Sequence, residues 1–424
     1  MTKVTIACGL ALSALLLTTA GPAAQGDLLA RARAIHKQVP LIDGHNDYPW
    51  ALRGLDPGRD FAKGDITAAL PALMTDIPRL RQGGVGGQFW SVYVPSSMQG
   101  RDAVRATLEQ IDIVHRMVRR WPETFELART AADVERAFKR GRIASLIGME
   151  GGHSIDSSLA TLRMMHALGA GYMTLTHSAN VPWADAATDQ PRLGGLSAFG
   201  EEVVREMNRL GMLVDLSHVS PDTMADALRV SEAPVIFSHS SARALCNVPR
   251  NVPDDILKMV PKNGGVVMVT FVPGFISQDV ADHNAKAAAY QTQLRGQFPS
   301  NEAYVATAME RWREANPEPR ATLAQVADHI DHIRKVAGID HIGLGGDFDG
   351  ISSVVQGLED VSTYPALTAE LLRRGYTEAD LRKILGLNVL RAMRGAEAAA
   401  ARLQKTRGPS TATIEALDGA TTTR

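Results

Sequence analysis

Eight short apolar runs punctuate the chain: Pro40–His45, Val85–Val94, Arg142–Glu150, Gly171–His177, Met212–His218, Pro234–His239, Gly265–Phe271 and His341–Asp347. Most are continuously apolar rather than alternating, as in strands buried on both faces of a parallel sheet. The segments between them show the three- and four-residue spacing of amphipathic helices. Ser157–Leu168 is stopped by Gly169 and Ser197–Leu210 by Gly211. Ser220–Val230 opens with Ser-Pro-Asp, a cap followed by proline at the first helical position, and Thr377-Glu-Ala-Asp opens the last clear helix. Strand then helix, eight times over, predicts an α/β fold of the (β/α)8 barrel type. Two stretches exceed the bare repeat. Residues 95–140 hold two helical segments. After the seventh run, the polar, helix-prone stretch Ser277–Arg320 predicts a helical insertion near the barrel mouth, with Tyr304 and Trp312 packing it down.

The 424 residues suffice for one large core, and a barrel with insertions accounts for residues 27–400 as a single domain. The first 24 residues read as a secretory signal: Lys3, an apolar run from Val4 to Leu17, then small residues. That run is short for a membrane span. A lipoprotein reading at Cys8 fits poorly, because most of the apolar run follows the cysteine. The expectation is an exported bacterial protein, periplasmic or secreted, with no transmembrane anchor in its mature form. Of the two cysteines only Cys246 would remain, so no intrachain disulfide could form. The Thr-rich stretch 408–424 reads as a disordered tail. A net charge of −1, without a basic stripe, argues against a nucleic-acid surface and for a small substrate. A homodimer stays open.

The candidate chemistry lies at the ends of the runs. His45 and Asp47, Glu150, His177, His218, His239 and Asp347 all close a run or follow one directly. In such barrels this end is the mouth that carries the chemistry. His45 and Asp47 are two apart, so a strand end would aim both at one ion. Read alone, the pair is weak evidence, because a turn with a solvated Asp looks the same. His218 and His239 each follow a Ser at the end of consecutive runs, and neutral imidazole with carboxylate is a common zinc set. No Lys ends any run, so Glu150 is the natural anion to bridge two ions. With five ligands in place, His177 is free to face a developing oxyanion and Asp347 to move a proton. His153, just behind Glu150, is expected outside the ligand set, and the remaining histidines look ordinary.

Seven segments together resemble the membrane (renal-type) dipeptidases: Ile42-Asp-Gly-His-Asn-Asp47, Gly148-Met-Glu-Gly-Gly-His153, Leu175-Thr-His177, Asp215-Leu-Ser-His218, Phe237-Ser-His-Ser-Ser-Ala-Arg243, Asn247-Val-Pro-Arg-Asn251 and Gly345-Gly-Asp-Phe-Asp-Gly350. The resemblance implies two zinc ions bridged by Glu150, one held by His45 and Asp47, the other by His218 and His239. It implies that His177 meets the scissile carbonyl, that Arg250 grips the substrate's terminal carboxylate, and that Asp347 acts on the water and the leaving nitrogen. The implied activity is hydrolysis of dipeptides by a water held between the metals. Rival readings are the same site acting on N-acyl amino acids, β-lactams or lactones, and an inactive metal-binding scaffold. The chain departs from the renal type at Val272, near the place of a tyrosine in those proteins, and in its longer insertion.

Overall fold

The structure, a computed structural model, describes residues 22–419. Among the described residues there are nine strands: β1 Leu41–Asn46, β2 Val85–Ser91, β3 Phe125–Leu127, β4 Ile143–Glu150, β5 Ala170–Thr174, β6 Leu213–Asp215, β7 Ile236–Phe237, β8 Val266–Val269 and β9 Ile342–Leu344. They pair in the order β2-β1-β9-β8-β7-β6-β5-β4-β3, and β2 also pairs with β4. That pairing closes eight parallel strands, all but β3, into a barrel surrounded by helices.

The unforeseen strand is β3. It pairs only with Ile143–Ser145 at the start of β4, while β5 takes Ile147–Glu150 at its end. Three residues, Phe-Glu-Leu, are too short to stand out as an apolar run. The middle one turns outward, where Glu126 meets Arg136, Arg140 and Arg142.

The helix ends follow the local chemistry. Ser197 accepts from the Gly200 N–H at the start of Ala198–Leu210, and Gly211 ends that helix at φ 80°. Ser220 accepts from Thr223 ahead of Pro221–Val230. Thr377 and Asp380 cap each other reciprocally at Glu378–Arg382. Ile42, Phe89, Leu146, Tyr172, Ile236 and Met268 form one buried cluster beneath the mouth. Burying a residue such as Phe89 contributes about 2–3 kcal/mol.

The insertion is present and follows β8, since β3 shifts the strand count by one. It consists of Pro273–Ile276, Gln278–Gln297 and Glu302–Ala315. Its packing differs from expectation. Trp312 lies against His283 and Tyr290, and Tyr304 is 46% exposed beside Phe298. The hairpin thus closes on a small core of its own, made of Leu294, Val305 and Met309.

The tail also differs. From Gly408 onward the described part docks: Ser410 receives Arg163, Ile414 is buried, and Asp418 accepts from Ser197 Oγ and the Phe199 N–H. A polar, Thr-rich composition hid that contact. The expected signal segment falls outside the described residues except for 22–24, which begin the helix Pro22–His36. Among the described residues no helix is long and apolar enough to cross a membrane.

Candidate metal centre

Each site residue sits at or just past the C-terminal end of a strand, so barrel closure brings seven distant residues to one mouth. His45 is the penultimate residue of β1, and Asp47 follows as the residue before the helix Tyr48–Leu55. Glu150 ends β4. His177, His218, His239 and Asp347 follow β5, β6, β7 and β9. His218 and Asp347 hold left-handed backbone, at φ 68° and 61°. Strained residues of this kind cluster where geometry serves chemistry.

Glu150 is the centre of the arrangement. Its Oε2 lies 3.3 Å from His45 Nε2, which is 3.2 Å from Asp47 Oδ2. Its Oε1 lies 3.0 Å from His218 Nε2 and 3.4 Å from His239 Nε2. The two oxygens of one carboxylate therefore face two different ligand pairs. His177 Nε2 stands further out, 3.6 Å from Oε1, and Asp347 Oδ1 is 4.0 Å from His45 Nε2. Ligand atoms of His45, Glu150 and His239, of Glu150, His177 and His218, and of His45, Asp47 and Asp347 form three groups tight enough to hold a cation.

The surroundings fit bound metal. His45 Nε2 and Asp47 Oδ1 are buried without a hydrogen-bond partner. Such atoms are costly unless something meets them. The ring of His45 is oriented from behind, because its Nδ1 is 2.9 Å from the Tyr172 hydroxyl, which donates to the Gly44 carbonyl. The hydroxyl's proton is thus used, so Nδ1–H donates and Nε2 is the nitrogen left to face the cluster. Burial alone would lower the His45 pKa, but Tyr172, Glu150 and Asp47 lift it well above the ordinary value. A field that favours a proton there favours a metal cation too. Burial would raise Glu150, yet His45, His177, His218 and His239 hold it well below the usual carboxylate range. Burial keeps His218 and His239 neutral, assisted by Arg250 and by His45 respectively.

Above the cluster opens a cavity of about 720 Å³, walled by Trp50, Tyr93, Val248, Val272 and Phe275. Arg250 reaches it almost fully buried, at 5% exposure. Among the described residues Arg250 forms no ion pair. Its contacts are long hydrogen bonds to Ser240 Oγ at 3.5 Å and the His239 carbonyl at 3.4 Å, and the face of Phe275. Burial lowers its pKa to about 10, with Asp347 and Glu150 opposing. Next to it, Asn251 donates to the carbonyls of Cys246 and Phe275 and accepts from the Ser241 N–H. Those bonds stitch the arginine's loop to the foot of the insertion. Asp347 is raised well above the usual range by burial, against His45 and with Asp47 and Glu150. Gly350 allows the neighbouring loop to pass: a Cβ there would sit 2.3 Å from Asp47 Oδ2 and 2.7 Å from Asp347 Oδ1.

The structure therefore brings together every candidate drawn from the sequence, Arg250 included. His153 stands outside the ligand set, 3.1 Å from the Val94 carbonyl, and Asp349 holds the Met74 N–H. Sequence reasoning missed the residues that orient the ligands, Tyr172, Ser238 and Asp215, and the wall formed by Trp50, Tyr93 and Phe275.

The membrane dipeptidase profile, peptidase family M19, matches residues 29–407. Dipeptidase 3 of Mus musculus is 43% identical over 382 residues, which covers 87% of this chain and 67% of that protein. The crystal structure of the probable dipeptidase PvdM from Pseudomonas aeruginosa superposes with a TM-score of 0.77 at 25% identity, covering 88% of this chain and all of that one. A metallo peptidase from Rhodobacter sphaeroides, liganded with a phosphinate mimic of the dipeptide L-Ala-D-Ala, superposes at 0.69 and 25% identity, covering 84% of this chain and 99% of that one. The chain belongs to the membrane dipeptidase family, peptidase family M19, and is a peptidase.

Proposed function

We propose that this peptidase is a dizinc dipeptidase that cleaves the single peptide bond of dipeptides. The observation that carries the reading is Glu150, whose two oxygens address separate ligand pairs beneath a cavity containing an unpaired arginine. His45 and Asp47 would hold one ion, His218 and His239 the other, with Glu150 shared. Bound there, the ions would supply Lewis acidity and a water acidified toward neutral pH.

The chain's own residues do the rest. Arg250, desolvated and without a carboxylate of its own, takes the substrate's terminal carboxylate. His177 Nδ1 lies 3.0 Å from the Ser178 hydroxyl. With that hydroxyl donating, the ring proton sits on Nε2 and points at the oxyanion formed on attack. Asp347 accepts the proton of the attacking water and delivers it to the leaving nitrogen. The dipeptide mimic bound by the Rhodobacter sphaeroides relative supports a ligand of this size.

The test is turnover of a panel by zinc-loaded protein: dipeptides, amidated dipeptides, N-acyl amino acids, a β-lactam and a lactone. Dipeptides with a free carboxylate should be cleaved fastest. Preference for an N-acyl amino acid, β-lactam or lactone would replace this substrate class, and no turnover with metal bound would replace the enzyme reading by a scaffold.

A further inference from the structure

The geometry points to Asp215 as the residue that sets the metal-binding tautomer of His239, acting through Ser238. The inference rests on the proposed metal centre. Asp215 ends β6 and is fully buried, as are Ser238 and His239. Its Oδ1 accepts the backbone N–H of Ser217 at 3.1 Å and of Ser238 at 2.8 Å. Its Oδ2 accepts the hydroxyls of Ser238 at 2.7 Å and Thr174 at 2.5 Å. One carboxylate thereby ties β5, β6 and the residue after β7 just below two ligands.

The consequence lies in the direction of one hydroxyl. A carboxylate only accepts, so Ser238 must turn its proton toward Asp215. Ser238 Oγ is also 2.8 Å from His239 Nδ1. With its proton committed, Oγ can only accept there, so Nδ1 carries the ring hydrogen. The Nε2 lone pair is then left facing Glu150, the form that binds metal. Asp215 is a positioning residue: it touches neither substrate nor ion, yet fixes which nitrogen of His239 is free.

Asp215→Asn inverts this logic while keeping the shape. The two backbone N–H groups retain the amide oxygen, which puts the NH2 group opposite Thr174 and Ser238. Ser238 Oγ then accepts, and its proton turns to His239 Nδ1 at 2.8 Å, nearer than Ser217 Oγ at 3.4 Å. The ring hydrogen moves to Nε2 and opposes the ion. Ser238→Ala removes the relay without forcing either tautomer.

Zinc titration of the metal-free protein against a chromophoric chelator tests this, with nitrogen-15 NMR reporting the His239 tautomer. Asp215→Asn should weaken one of two zinc equivalents at least ~10–100-fold, the usual cost of losing such a partner, and show Nε2–H. Ser238→Ala should be milder, and the double variant should recover to the Ser238→Ala level, a rescue that a merely structural carboxylate would not give. Wild-type affinity in Asp215→Asn, or a double variant no better than that single one, would overturn the inference. If Asp215→Asn does not fold, Ser238→Ala decides: unchanged affinity for both ions rejects the relay. His239→Ala binding zinc like the wild type would instead reject the metal centre itself.

Discussion

The Arg250 guanidinium stands 5.2 Å over the ring of Phe275, a residue of the insertion's first helix. The ring offers its face to a charge that has no carboxylate partner. Loss of one partner of a buried charge pair costs about 2–5 kcal/mol. Arg250→Ala should therefore lower kcat/KM on dipeptides by tens to thousands of fold, and amidated dipeptides should lose a comparable factor with the wild type. Phe275→Leu should raise KM with little change in kcat. Equal cleavage of free and amidated dipeptides would remove Arg250 from this role and turn attention to Arg243.

Glu150 and His177 should separate when metal is counted. Glu150→Ala removes the carboxylate that faces both pairs and should cost both ions of the proposed centre by elemental analysis. His177→Ala should leave near two equivalents bound and reduce turnover. A wild type fully active with one stable equivalent would sink the bridged arrangement.

Asp347→Asn keeps the size of the side chain but cannot take up a proton as a carboxylate does. Metal content should hold while kcat falls about 10²–10⁴-fold, the range of general acid–base catalysis. Asp347 also groups with His45 and Asp47 closely enough to share a cation with them. Loss of one ion in step with activity would make it a ligand instead of a proton carrier.

Stability should decline with acid through two buried histidines outside the candidate ligand set. His36 bonds the Gly83 carbonyl and Thr368, and His329 the Ile276 carbonyl. Burial lowers each from 6.5 to about 4. Above pH 6.5 both are neutral whether folded or not. Between 6.5 and 4 the unfolded chain takes up protons that the folded chain refuses, and stability falls by about 3 kcal/mol per group. Below pH 4 their contribution levels off. Urea melts of the metal-free protein from pH 7 to 4 should show a shallower decline in His36→Gln than in the wild type, and identical slopes would refute the assignment.

Much of this was legible because a closed parallel barrel turns sequence into position: every apolar run ends at the same rim. The candidate ligands therefore stood out as polar residues closing apolar runs. Phe125–Leu127 did not, being three residues with an outward Glu126. Arg250 came only through resemblance, since a loop arginine carries no pattern. Tyr172 and Asp215 read as ordinary members of buried strands, because what they do depends on which hydroxyl faces which ring, a relation between strands that no single run contains. The docking of Ile414 and Asp418 was equally invisible, since it depends on where the start of Ala198–Leu210 lies in space.

His218 and Asp347 adopt backbone angles that ordinary side chains avoid, at about 1–2 kcal/mol each. Glycine would relax both and erase the imidazole and the carboxylate. Durability and chemistry thus select for opposite residues at these positions.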